Sequence, residues 1–343
     1  MSASRPLRPS ADAISHLVAT PDNPIPPGAL VRSLRTPDGT LLRAARWEAP
    51  AVWPTGTVAI IQGHAECIEK YFEVIGELLE RGFAVAIFDW RGQGGSAREL
   101  ADTRIGHIDD FAHYRLDLQA FIDEIIKPFC PQPWFGLGHS MGGAVLAAAA
   151  HDGALPFERM VLDAPMLKIN IGQPESMIKV AARALDVLGF GGMLLPGWRP
   201  ALNFPHPFEG NKLTSDPVRF ARTEAVKVAA PRLAIGGPTI GWLNAALRFC
   251  KAFADPDYAR DTLMPCLVLA SGNDQVVDCG TIERYAANLK AGSQILIPHA
   301  RHEVLIERDA FREQFWAAFD AFIPGTRAEL QELGRKTAGA IAP

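Results

Sequence analysis

The sequence predicts an α/β protein: an eight-stranded, mostly parallel sheet flanked by helices, with a helical cap inserted late in the chain. Three observations carry this. From residue 57 onward, short continuous apolar runs alternate with longer amphipathic segments, the pattern of parallel strands buried on both faces. One run, Trp134–Leu137, leads into Gly138-His139-Ser140-Met141-Gly142, a Gly-x-Ser-x-Gly turn followed by the small-residue stretch Gly143–Ala150. The alternation then breaks between about 168 and 245, where Pro174, Pro196, Pro200, Pro205, Pro207, Pro217, Pro231 and Pro238 punctuate helical and irregular segments.

Residues 1–28 are Pro-rich and weakly patterned and read as an extended arm. Leu30–Thr36 and Leu41–Trp47 read as strands joined by a hairpin turn at Pro37-Asp38-Gly39. Thr57–Ile61, Ala84–Phe88, Trp134–Leu137, Met160–Leu162, Cys266–Ala270 and Ile295–Ile297 are the buried strands. Helical periodicity marks Glu69–Arg81, Phe111–Ile126 and the closing Phe311–Phe322. The expected division is an arm at 1–28, a core at 29–167 and 246–326, a cap over the sheet's carboxyl edge at 168–245, and a tail at 327–343 with one polar helical stretch, Arg327–Arg335.

With 343 residues and 48% hydrophobic content the chain has material for a large core. A net charge of -4 gives no basis for a nucleic-acid partner. Cys67, Cys130, Cys250, Cys266 and Cys279 are odd in number and lack metal spacing, as expected of reduced, mostly buried thiols in a cytoplasmic protein. The start, Met1-Ser2-Ala3-Ser4-Arg5-Pro6, has no apolar signal-peptide core, and no run reaches the roughly 18 apolar residues of a membrane span. Contact with a membrane is therefore expected to be peripheral at most, at its inner face. The dispersed histidines imply no metal site.

The Gly-x-Ser-x-Gly turn has the strand–turn–helix context of a nucleophile elbow, with Ser140 as nucleophile and Gly138 and Gly142 as the small residues the tight bend demands. Such a serine needs a base, and the base needs an orienting acid, in the chain order Ser, Asp or Glu, His. Asp274, leaving the strand Cys266–Ala270, is placed ahead of Asp278, which lies further into the next segment. His302, on the loop after Ile295–Ile297, is placed ahead of His299, which sits at the strand end. His16, His107, His113, His151 and His206 lack such positions and read as structural or exposed. Two backbone donors are needed for an oxyanion. The N–H of Met141 is one, and the N–H of His64, in the loop Gln62–Glu66, is the other. Arg91-Gly92-Gln93-Gly94-Gly95-Ser96 lacks the Gly-Lys-Ser/Thr ending of a phosphate loop and reads as a shaped turn.

Taken together, these residues resemble the α/β-hydrolase superfamily, in particular its serine lysophospholipase and monoacylglycerol lipase branch. The matching motifs are Gly63-His64-Ala65-Glu66 with Tyr71, Phe88-Asp89-Trp90-Arg91-Gly92-Gln93-Gly94, Leu137–Gly143, Asp163-Ala164-Pro165-Met166 and Arg301-His302-Glu303. Gly106-His107, Asp110-Phe111, and Gly236-Gly237-Pro238-Thr239 with Trp242 are similar to bacterial lysophospholipases. The likeness spans about 30–323. It implies the α/β-hydrolase fold, Ser140, Asp274 and His302 as the catalytic triad, and hydrolysis of a lipid ester through an acyl-enzyme without a cofactor or an obligate protein partner. Many relatives carry His-Gly where this chain has Gln62-Gly63, so the side chain lining the oxyanion hole is expected to differ. In the cap, the apolar, Gly-rich stretch Leu188–Trp198 is expected to line an acyl tunnel, touch a bilayer surface or pack on the core. Most of Arg183, Arg199, Arg219, Arg222, Lys227 and Arg232 are expected to be solvated, with one or two available to a phosphate headgroup.

Overall fold

The computed structural model describes residues 16–50, 55–172 and 174–324. Eight strands, β1 (Leu30–Arg35), β2 (Leu41–Trp47), β3 (Thr57–Ile61), β4 (Ala84–Phe88), β5 (Trp134–His139), β6 (Arg159–Asp163), β7 (Cys266–Ser271) and β8 (Gly292–Ile297), form one sheet. Its order is β1-β2-β4-β3-β5-β6-β7-β8. β1 pairs antiparallel with β2, and β2 antiparallel with β4; every later pairing is parallel. β3, β4, β5 and β7 are buried along their whole length, as continuous apolar runs require when helices cover both faces.

The two faces bury separate apolar clusters. One holds Phe88, Trp90, Phe111, Tyr114 and Phe121 with the Ala-rich helix Ser140–His151, and the other holds Phe83, Phe135, Phe315 and Phe319 with the helix Phe72–Glu80. That Ala-rich helix starts at Ser140 itself, three residues earlier than the expected Gly143. The segment expected as a helix over 111–126 is α-helical over Ala112–Phe121 and continues as a π-helical turn over Ile122–Ile126. The segment expected from Glu69 begins as a 3-10 turn, Ile68–Tyr71, before its α-helix.

No strand of the sheet falls between β6 and β7 among the described residues. Among the described residues that stretch carries the helices Glu175–Leu185, Pro217–Ala229 and Ile240–Cys250, with short 3-10 and π turns. Thr239 caps the last of the three by accepting from the Trp242 N–H. This stretch packs on the loops at the sheet's carboxyl edge, after β8 and after β3 among other places. Leu213 accepts from the Glu303 N–H beside β8, and the Trp242 ring packs 4.3 Å from that of His64 after β3. The described part of the N-terminal arm lies along the same molecule: Trp47 donates to the Pro26 carbonyl, and Arg43 to that of His16. The stretch Arg327–Arg335 lies outside the described residues.

Candidate active site

Ser140 holds a backbone φ of 49°, a left-handed conformation rare for a side-chain-bearing residue, at the junction of β5 with the helix it begins. The flanking glycines are demanded by contact. A Cβ on Gly142 would stand 2.2 Å from the Ile61 carbonyl oxygen, and one on Gly138 would stand 2.7 Å from Gly143 Cα. The first helical N–H groups, including that of Met141, have no partner within the helix.

Three residues far apart in sequence converge there. His302 Nε2 lies 2.8 Å from Ser140 Oγ, and His302 Nδ1 lies 2.7 Å from Asp274 Oδ2. Asp274 does two jobs with its two oxygens, because Oδ1 accepts from the Val276 and Val277 amides at 2.7 and 2.9 Å. Burial opposes charge on Asp274, but His302 and those amides outweigh it and hold its carboxyl below the ordinary carboxylate range. With Asp274 as acceptor, His302 carries its proton on Nδ1, leaving Nε2 to accept from the Ser140 hydroxyl. The rivals are elsewhere. Asp278 caps the helix Cys279–Asn288 by accepting from the Thr281 N–H, and His299 is exposed at a φ of 64°.

The loop after β3 is fastened on both sides of His64. The Gly63 N–H donates to Glu66 Oε2, and the Ala65 N–H to Gln93 Oε1. Gln93, from the Arg91–Ser96 turn, also donates to the carbonyls of Gly63 and Glu66. In that turn Gly94 lies so close to Asp89 that a Cβ would meet its carboxyl carbon at 2.2 Å, so the turn is closed around a side chain of the protein itself. His64 is half-buried as a residue, but both ring nitrogens are enclosed without a hydrogen-bond partner, and burial pushes its pKa down to about 4.

Gln62 corrects one expectation. Its side chain does not line the hole; it is fully buried and donates to the Phe88 carbonyl and to Asp89 Oδ1, tying the loop to the end of β4. Sequence reasoning also passed over a buried charged group below the elbow. Glu66, His139 and Glu303 each bring one donor atom within 4.8 Å of the others, a cluster able to hold a cation. Lys70 Nζ, 2.6 Å from both carboxylates, fills that position with the chain's own ammonium. No local spacing signalled it, because Glu66 lies in the loop ahead of the 3-10 turn Ile68–Tyr71 and Glu303 comes from the far end of the chain.

The profile of the serine aminopeptidase S33 family matches residues 53–309. Lysophospholipase L2 of Escherichia coli K12 is 34% identical over 271 residues, covering 74% of this chain and 76% of that protein. Monoglyceride lipase of Rattus norvegicus is 29% identical over 153 residues, covering 45% of this chain and 48% of that protein. Among solved structures, a soluble variant of the monoglyceride lipase of Saccharomyces cerevisiae shares the fold at a TM-score of 0.67 and 18% identity, covering 89% of this chain and 98% of that one.

Proposed function

The chain belongs to the serine aminopeptidase S33 family of α/β-hydrolases, and from that premise we propose that it hydrolyses lipid carboxylic esters with Ser140 as nucleophile, His302 as base and Asp274 as its orienting acid. One observation carries the reading: the hydrogen-bonded line from Ser140 Oγ through His302 to Asp274. His302 Nε2 takes the hydroxyl proton as Ser140 Oγ attacks the ester carbonyl. The Met141 and His64 N–H groups receive the developing oxyanion. His302 returns the proton to the departing alcohol, leaving an acyl-enzyme. Water, deprotonated by His302, then releases the fatty acid and restores Ser140.

The substrate we assign is a single-chain acyl ester, a lysophospholipid before a monoacylglycerol. The relative that covers most of this chain at the higher identity carries the lysophospholipase name, and the monoglyceride lipase matches under half of it. Segment 168–245 is assigned as the cap. Met177, Val180, Val187, Leu188, Met193 and Trp198 are each more than half exposed, Val187 at 80%, and the same segment carries exposed Arg183 and Arg199, whereas Lys179 is paired with Glu175. An apolar, cation-bearing surface of this kind suits a peripheral seat on an anionic membrane, from which a lysolipid enters the site. No helix among the described residues is long and apolar enough to cross a membrane.

An aminopeptidase is the second reading, favoured by the description of the matching family. A fluorophosphonate probe followed by peptide mapping tests the shared chemistry: label on Ser140, abolished in Ser140→Ala, is expected, and label elsewhere or none rejects the nucleophile. Turnover of aminoacyl amides without turnover of acyl esters would favour the second reading.

A further inference from the structure

Lys70, Glu66, Glu303, Tyr71, His139 and Asp163 form a continuous buried network under the elbow that the proposed steps leave without a task. Lys70, its side chain 6% exposed, contacts Oε1 of Glu66 and Oε1 of Glu303 at 2.6 Å each. Glu66 belongs to the loop of the oxyanion donor. Its Oε2 accepts from the Gly63 N–H at 2.5 Å and from the Tyr71 hydroxyl at 2.7 Å, and a Cβ on Gly63 would meet that same oxygen at 3.0 Å. Glu303 is the residue after the base, and its N–H is tied to Leu213. His139 precedes the nucleophile. Its Nδ1 lies 3.1 Å from Asp163 Oδ2, its Nε2 lies 3.7 Å from Glu66 Oε1, and its ring sits 5.0 Å from the His302 ring.

We propose that Lys70 is a positioning residue for ester hydrolysis: its single ammonium clamps the oxyanion loop, through Glu66, to the base loop, through Glu303. The inference rests on the catalytic roles assigned above. Two carboxylates aimed at one buried point repel unless a cation lies between them, and these two come from loops after β3 and after β8. Removing Lys70 leaves His139, 3.7 Å from Glu66, as the cation still beside the pair; the direct tie between the loops is gone, and with it the joint placement of the His64 N–H and His302, which must face one substrate carbonyl at once. Misplacement of about 1 Å is enough to cost on the order of 10²-fold in rate. The Lys70 ammonium is enclosed by the two carboxylates, and its link to segment 168–245 runs through the Glu303 backbone N–H, so its removal acts on the placement of the base and the oxyanion donor before it acts on substrate affinity.

The test compares Lys70→Met, Glu303→Gln and the double variant with the wild-type chain, measuring kcat and KM on a p-nitrophenyl acyl ester and folding by circular dichroism. Lys70→Met is expected to lose on the order of 10- to 100-fold in kcat, with KM within about threefold of wild type. The double variant is expected to be no worse than Lys70→Met, because the loss of Glu303's charge removes the repulsion. A folded Lys70→Met with kcat within threefold of wild type overturns the clamp, as do losses in the two single variants that simply multiply. If Lys70→Met fails to fold, Glu303→Gln, which keeps the Lys70–Glu66 pair, decides alone: a kcat reduced about fivefold or more at unchanged KM supports the clamp, and an unchanged kcat overturns it. Ser140→Ala, run alongside, separates the two levels. Activity surviving there rejects the underlying reading, whereas a silent Ser140→Ala beside an unimpaired Lys70→Met rejects the clamp alone.

Discussion

Titrating His139 should erode the stability of the fold over a defined range of pH. His139 is 4% exposed and lies between Glu66 and Asp163. Burial alone would lower its pKa, but those two carboxylates outweigh it and raise the pKa to about 9. In the unfolded chain a histidine titrates at about 6.5. Because the folded pKa is the higher one, the stabilisation is complete below about pH 6.5 and is lost as pH rises through 9. At about 1.4 kcal/mol per pH unit, the gap is worth up to about 3 kcal/mol. Urea unfolding at pH 6 and pH 9, followed by tryptophan fluorescence and far-UV circular dichroism, measures it, with His139→Gln as the reference that cancels every other titrating group. Wild type should lose up to about 3 kcal/mol more than His139→Gln between the two pH values. Parallel losses in the two proteins would refute the claim that His139 is held protonated by its neighbours.

Two further outcomes follow from the geometry. Asp274→Asn keeps an oxygen for the Val276 and Val277 amides, so the melting temperature should move by no more than a few degrees, while kcat falls on the order of 10⁴-fold because the amide imposes the wrong His302 tautomer; steady-state kinetics beside a thermal melt checks both. Replacing Val187, Leu188 and Trp198 together by Ser should weaken co-sedimentation with anionic vesicles at least about tenfold, since each buried apolar side chain contributes about 1.5–3 kcal/mol, while kcat on a water-soluble ester stays unchanged.

The sheet was legible because fully buried parallel strands leave uninterrupted apolar runs, and β2, β3 and β4 begin and end at the residues their hydrophobicity marks. β8 was readable only as Ile295–Ile297, because it closes the edge of the sheet and Gly292, Ser293 and Gln294 are exposed. Strand order is set by crossovers that no local pattern encodes. The convergence of Ser140, Asp274 and His302 could be anticipated because chain order and position after a strand restrict which acid and which base can reach an elbow. Gln62 was misjudged for a reason of direction: its backbone lies beside the hole while its side chain points back to Asp89. The Lys70 network stayed hidden because Glu66, Lys70 and Glu303 are residue types that usually sit in water, and only the folded chain shows them shielded by one another.

Serine-dependent lipid ester hydrolysis is decided by fatty acid release from a lysophospholipid and, in parallel, a monoacylglycerol, with Ser140→Ala as the blank. Release from the lysophospholipid is expected, reduced in the blank by on the order of 10⁶-fold. Release that persists in Ser140→Ala, or no release from either lipid by a wild-type chain whose Ser140 still reacts with a fluorophosphonate, would contradict serine-dependent lipid hydrolysis.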